Sequence, residues 1–173
     1  MYKEQRFTLL AMQGDKDNQK SDIPVTLQTY HIVDVFMHRL PKIILDGSGK
    51  LTIYFTAKPD GEQQYMKNDY FHVSWYYTEK PCLNKRDLKN MNQEDINEYY
   101  LGVIVDTLKH IARINNRASE LDGTIDETAR KVRVNQYELL KKIKSLSKTS
   151  PDRQYRANGY RHVNYQGKCI MWK

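Results

Sequence analysis

Cysteine is scarce in this 173-residue sequence: Cys82 and Cys169 stand far apart and in no C-x-x-C pair. That excludes a disulfide-stapled scaffold and a zinc ribbon, and it predicts two free thiols in a reducing compartment. Long apolar runs are absent as well. No stretch approaches the roughly 18 residues that a membrane helix needs. Residues 1–7 alternate charged and polar side chains and lack the apolar centre of a signal peptide. These absences predict a cytoplasmic chain with no membrane partner.

Motifs that carry chemistry are missing too. His31, His38, His72, His110 and His162 stand at no metal-ligand spacing, and no H-E-x-x-H or Cys/His cluster occurs. Gly47-Ser48-Gly49-Lys50 lacks the longer spacing and the following helix of a phosphate loop. Cys82 has Lys85 and Arg86 nearby, but no adjacent histidine to activate its thiol. The sequence therefore predicts no cofactor, no metal and no catalytic residue. His72 and His162, both on expected strands, are the pair that a small nuclease would have to bring into one cleft.

What the chain does hold is tyrosine and positive charge. Thirteen tyrosines against four phenylalanines, at a mean hydropathy of −0.79, imply many rings half-buried with the hydroxyl outward. Tyr76, Tyr77, Tyr99, Tyr100, Tyr155, Tyr160 and Tyr165 form one candidate interface set, because such rings supply large rigid contacts. The formal charge of +7 is uneven: from Thr124 onward twelve cations face four anions, and the rest of the chain is nearly neutral. One basic surface, attractive to phosphates or to an acidic protein, is the expectation.

Periodicity suggests strands first and helices later. Residues 6–12 form a short apolar run, followed by a polar loop through Gly14, Asp15, Asp17, Asn18 and Pro24. Residues 30–38 (YHIVDVFMH) are rich in β-branched and aromatic types, and residues 42–45 read as a further strand after Pro41. Asp46-Gly47-Ser48-Gly49 reads as a hairpin turn. Leu51, Ile53, Phe55 and Ala57 then alternate with polar neighbours, and residues 69–78 place Phe71, Val73, Trp75 and Tyr77 on one face.

Asn92 caps a helix whose stripe is Leu101, Ile104, Leu108, Ile111, Ile114, Ala118 and Leu121, with Gly123 as its stop. Thr124 and Glu127 form a capping box for a second helix with Ile125, Ala129, Val132, Leu139, Ile143 and Leu146 inward. Asn158-Gly159 and Gln166-Gly167 then mark turns between short aromatic strands. The expected class is α+β: an antiparallel β-meander packed against a long two-helix hairpin, with a short C-terminal β-hairpin. One domain spans 1–173, with 1–80 mainly strand, 92–147 the helical hairpin and 153–173 the basic aromatic tail.

The candidate partner-binding residues are Arg130, Lys131, Arg133, Lys141, Lys142, Lys144, Arg153, Tyr155, Arg156, Tyr160 and Arg161. One reading makes them the contact surface for a protein with an acidic face. The alternative parses residues 124–146 as a helix-turn-helix with a wing after it, so that lysines meet phosphates and Asn135 or Gln136 reaches a base edge. In size, in its order of elements and in its lack of a catalytic motif, the chain resembles small bacterial toxin-immunity proteins. That resemblance implies a non-enzymatic protein that occludes or neutralises a macromolecular partner. Many such proteins are acidic and match basic toxins; this chain is basic, so the resemblance implies a partner with an acidic face.

Overall fold

A computed structural model describes residues 6–14, 25–56 and 59–172. The polar loop expected at 14–24 lies outside the described residues apart from Gly14, as does Ala57. Among the described residues seven strands and four helices give an α+β fold with two sheets. The first sheet runs β1 (Leu9–Gly14), β2 (Lys50–Phe55), β4 (Val73–Tyr77), β3 (Tyr65–Asn68) in spatial order. The second is β5 (Leu139–Thr149), β6 (Arg156–Asn164), β7 (Gly167–Trp172).

The first sheet is not an antiparallel meander. β1 pairs with β2 and β2 with β4 in parallel, and only the edge pair β3–β4 is antiparallel. The cause is α1 (Val25–Arg39), which occupies the segment expected to be a strand. Its buried residues Val25, Thr29, Ile32, Val35 and Phe36 recur at helical spacing, so one stripe meets the core. A helix between β1 and β2 lets the chain re-enter the sheet in the same direction.

Residues 42–45 are not a strand either. They form an irregular link in which Ile43 and Leu45 are buried. The turn at 46–49 follows with Gly47 at φ 84°, and it feeds β2 rather than closing a hairpin. Asp46 organises it: Oδ1 accepts from the Ser48 amide (2.9 Å) and hydroxyl (2.6 Å), and Oδ2 accepts from Tyr65 (2.8 Å). Ser48 Oγ also lies 2.9 Å from Ser74 Oγ, which lets a serine sit on the buried side of β4. Ser74 and Tyr76 thus face the core, while Val73, Trp75 and Tyr77 share the opposite, half-buried face.

A short helix α2 (Lys85–Asn90) precedes α3 (Gln93–Ile114), which starts as expected with the Asn92 side chain accepting from the Asp95 amide (2.8 Å). It ends early. Asn116 at φ 56° breaks the chain after Ile114, so the stop is an asparagine pair rather than Gly123. Gly123 and the expected capping box lie inside α4 (Ala118–Val134), where Thr128 donates to the Thr124 carbonyl (2.8 Å). Gln136 and Tyr137, at φ 51° and 57°, then end α4, and Leu139 onward is strand. The helical hairpin therefore stops at Val134 rather than 147, and no helix-turn-helix exists at 124–146.

Leu101, Ile104, Leu108 and Ile111 of α3 join Leu121, Ile125, Ala129 and Val132 of α4 in the core beneath the first sheet. The same apolar cluster reaches Leu139 of β5 and Val163 of β6, so both sheets share it. Asn158-Gly159 is not a turn. It lies inside β6, where Gly159 faces Ile143 across a register shift between Ile143 and Lys148. A Cβ at Gly159 would sit 2.6 Å from Leu146 Cβ, so the close approach of β5 and β6 requires glycine. Gly159→Ala should lower stability by about 1–3 kcal/mol. Leu146→Gly in the same chain should recover part of that in urea unfolding, and no recovery would place the strain elsewhere.

Candidate functional site

The candidate contact residues divide into two groups. Arg130, Lys131 and Arg133 lie on the last turns of α4, where each has a carboxylate partner. Arg130 Nε and Nη2 grip Glu127 at 2.7 and 2.8 Å, and Lys131 Nζ lies 3.5 Å from the same residue. The Arg130 hydrogen bonds hold the Glu127 carboxyl down to about 2. Arg133 donates to Glu98 of α3 through Nε and Nη2, and Tyr137 donates to the same carboxylate at 2.6 Å. Glu98 is held below its usual range chiefly by Arg133, and burial raises the Tyr137 hydroxyl. These contacts pin the α4–β5 joint to α3, so their cations are already committed.

The second group lies on the C-terminal sheet, on strands and a turn rather than on a helix face. The register places Lys141 beside Arg161 and Ile170, and Lys142 beside Tyr160 and Met171. Consecutive rows of a sheet face opposite ways. Lys141 and Arg161 are therefore on one face and Lys142 and Tyr160 on the other, with Arg153, Tyr155 and Arg156 around the β5–β6 turn. The turn is ordered: Ser150 exchanges hydrogen bonds with Tyr155, and its hydroxyl holds the Asp152 carboxyl below its usual range. Tyr155 stands 73% exposed beside it.

The base of the sheet is fastened to α1. Asp34 Oδ2 lies 2.7 Å from Arg161 Nη2 and 2.5 Å from Lys168 Nζ. Tyr30 donates to the Asn164 carbonyl at 2.7 Å, and Lys168 lies 5.3 Å from the Tyr30 ring centre. His38, exposed at the end of α1, has its pKa lowered by burial and then by Lys141, Arg39 and Arg161, which marks a convergence of cations there. Asp34 was not singled out in the sequence, because its role depends on α1 being a helix.

Further out, positive charge is in excess. Between Leu139 and Trp172 the chain holds eight cations and one anion. Arg161 and Lys168 share Asp34, and among the described residues no carboxylate pairs with Lys141, Lys142, Lys144, Lys148, Arg153 or Arg156. Apolar side chains accompany them: Ile170 and Trp172 of β7 are 59% and 54% exposed. The result is a sheet with cations on both faces and an apolar edge.

The tyrosine set does not form one surface. Tyr100 and Tyr76 are buried, and Tyr155 and Tyr165 are exposed. His72 lies in the β3–β4 turn at φ 52°, while His162 is in β6 with Nε2 3.0 Å from Glu138 Oε2. His72 is thus at a turn of the first sheet, off the strand expected for it, and His162 is on a strand of the second. Cys82 and Cys169 are free thiols, and burial raises the Cys82 thiol despite the cations after it. Among the described residues no group of three His, Cys, Asp or Glu could hold a metal ion, and no helix is long and apolar enough to cross a membrane.

A cleft of about 620 Å³ lies between the start of α3 and the α4–β5 joint, lined by Glu94, Asp95, Glu98, Arg133, Tyr137 and Tyr165 among others. Asn97 on its wall accepts from Gln93 Nε2 and from the buried His31 Nε2, both at 2.9 Å. Among the described residues His31 Nδ1 is buried without a partner, and burial holds the ring below its usual 6.5. The unfolded chain therefore takes up this proton first as pH falls, so stability present above about 6.5 is lost below it. The urea midpoint should fall between about pH 7.5 and about pH 5, and His31→Gln should flatten the fall. Identical slopes in both proteins would assign the loss to other groups.

No protein-family model, curated protein or solved structure matches the chain.

Proposed function

We propose that the protein is a binding module whose C-terminal sheet engages an acidic macromolecular partner, in the manner of an immunity protein that occludes a toxin. The observation that carries this is the set of six cations on β5, the turn after it and the first residue of β6 without a carboxylate partner among the described residues. Exposed tyrosine, tryptophan and arginine are the types that supply most interface energy, and the unpaired lysines beside them steer an acidic partner to the surface. Arg130 and Arg133, by contrast, are each paired with a carboxylate. The reading places the protein in the cytoplasm, where both free thiols stay reduced.

Nucleic acid is a second reading, favoured by the spread of those same cations along an extended strand, now without any recognition helix. Salt separates the two. Phosphate contacts release counterions, so nucleic-acid affinity falls steeply and log-linearly with salt. Capture from cells that carry the gene, with and without nuclease, should retain a protein partner in both. Loss of all captured material on nuclease treatment, with binding to duplex DNA or single-stranded RNA at about 50 mM salt, would replace the first reading by the second.

A further inference from the structure

The two edges of the C-terminal sheet are built differently. Edge strands invite pairing with another chain, and lysines discourage it. β5, one edge, carries Lys141, Lys142, Lys144 and Lys148 in eleven residues, and its register shift lies between Ile143 and Lys148. β7, the other edge, has no such protection. Its one cation, Lys168, is drawn to Asp34 at the base, and beyond it follow Cys169, Ile170, Met171 and Trp172. Among the described residues β7 pairs with β6 alone, so its outer main-chain groups meet no other strand.

We infer that β7 receives an extended, acidic segment of the partner protein as a fourth strand of this sheet. This rests on the binding function proposed above and adds its mode. Main-chain pairing along β7 supplies affinity, and alternate side chains of the incoming strand supply selectivity. Ile170 and Trp172 lie on the face that also bears Lys141 and Arg161, so an incoming strand meets apolar contacts and cations in adjacent rows. Carboxylates in that strand match them. A second copy of the chain is disfavoured as the occupant, because its sheet brings the same eight-to-one excess of cations.

The probes are decapeptides alternating Glu with Val or Lys with Val, titrated into the ¹⁵N-labelled full chain. The Glu peptide should bind about tenfold or more tighter than the Lys peptide, a difference of the size that charge complementarity gives. It should shift the amides of β7 and leave those of the β5 edge nearly unchanged. Ile170→Asp, at a solvated position, should abolish the shifts with the thermal midpoint kept; Trp172→Glu serves should that chain unfold. Slow exchange in the free protein of those β7 amides that point away from β6 would show the edge already occupied and overturn the inference. So would equal binding of both peptides, or no binding. Binding of the Glu peptide at β5 would overturn the strand addition while leaving the binding function standing, because capture with nuclease tests that independently.

Discussion

Reversing Lys141, Lys142 and Lys144 to glutamate together should weaken partner binding about tenfold to a hundredfold and leave the fold intact. Each side chain is exposed and without a carboxylate partner among the described residues, so no native ion pair is lost. The stability change should stay within about 1 kcal/mol, as for other exposed strand positions. Binding responds differently. Each reversal on the covered face replaces an attraction by a repulsion, at about 1.4 kcal/mol or more, and the one or two lysines of that face give the tenfold to hundredfold loss. The register puts Lys141 and Lys142 on opposite faces, so the triple change acts whichever face the partner covers. By contrast, Arg130→Ala should change affinity less than about threefold, since Glu127 already engages that guanidinium. Titration calorimetry with the captured partner reads both. Unchanged affinity in the triple variant would mean that the lysines are merely solvated.

The largest loss of stability should come from Phe36→Ala. Phe36 is fully buried on α1, at the point where the helix meets the core beneath the first sheet. Truncating a buried phenylalanine costs about 3–5 kcal/mol, from lost transfer energy and the cavity left behind. Leu27→Ala, two and a half turns earlier and 61% exposed, should cost less than about 1 kcal/mol. Val33→Ala should fall between them, because Val33 is only half-buried whereas Val35 is fully buried. Urea unfolding of the three variants reads the helical stripe directly. Equal losses at Leu27 and Phe36 would contradict the placement of α1.

That helix also shows where the sequence was hard to interpret. Residues 30–38 contain Val, Ile, Tyr and Phe, which favour strands locally, yet Ile32, Val35 and Phe36 fall on one side of a helix. Tertiary burial overrode local propensity, and with it went the meander, since a helix between β1 and β2 makes their pairing parallel. The opposite error occurred at 139–149. Leu139, Ile143 and Leu146 have helical spacing and lie among lysines, which are good helix formers. The decisive signal was backbone conformation at Gln136 and Tyr137, both left-handed, where neither residue type announces a stop. Parts anchored by a cap or by strict alternation were legible: Asn92 opens α3, and Leu51, Ile53 and Phe55 face inward from β2.

The candidate surface was legible in charge and not in shape. Counting cations located it in the last fifty residues, and the structure converts a basic helix into a basic sheet. The exposed edge at Ile170 and Trp172, and the anchoring of that sheet by Asp34 and Tyr30, depend on contacts between distant residues and left no local pattern. Arg133 shows the converse. Its charge placed it among the candidates, but Glu98, thirty-five positions earlier, engages it.

Hydrogen exchange on the complex with the captured partner tests the binding surface most directly. Binding should slow exchange for amides between Leu139 and Trp172 and leave those of β2 and β4 unchanged. Protection confined to β2 and β4, around Tyr54, Trp75 and Tyr77, would place the interface on the outer face of the first sheet and contradict the assignment to the C-terminal sheet.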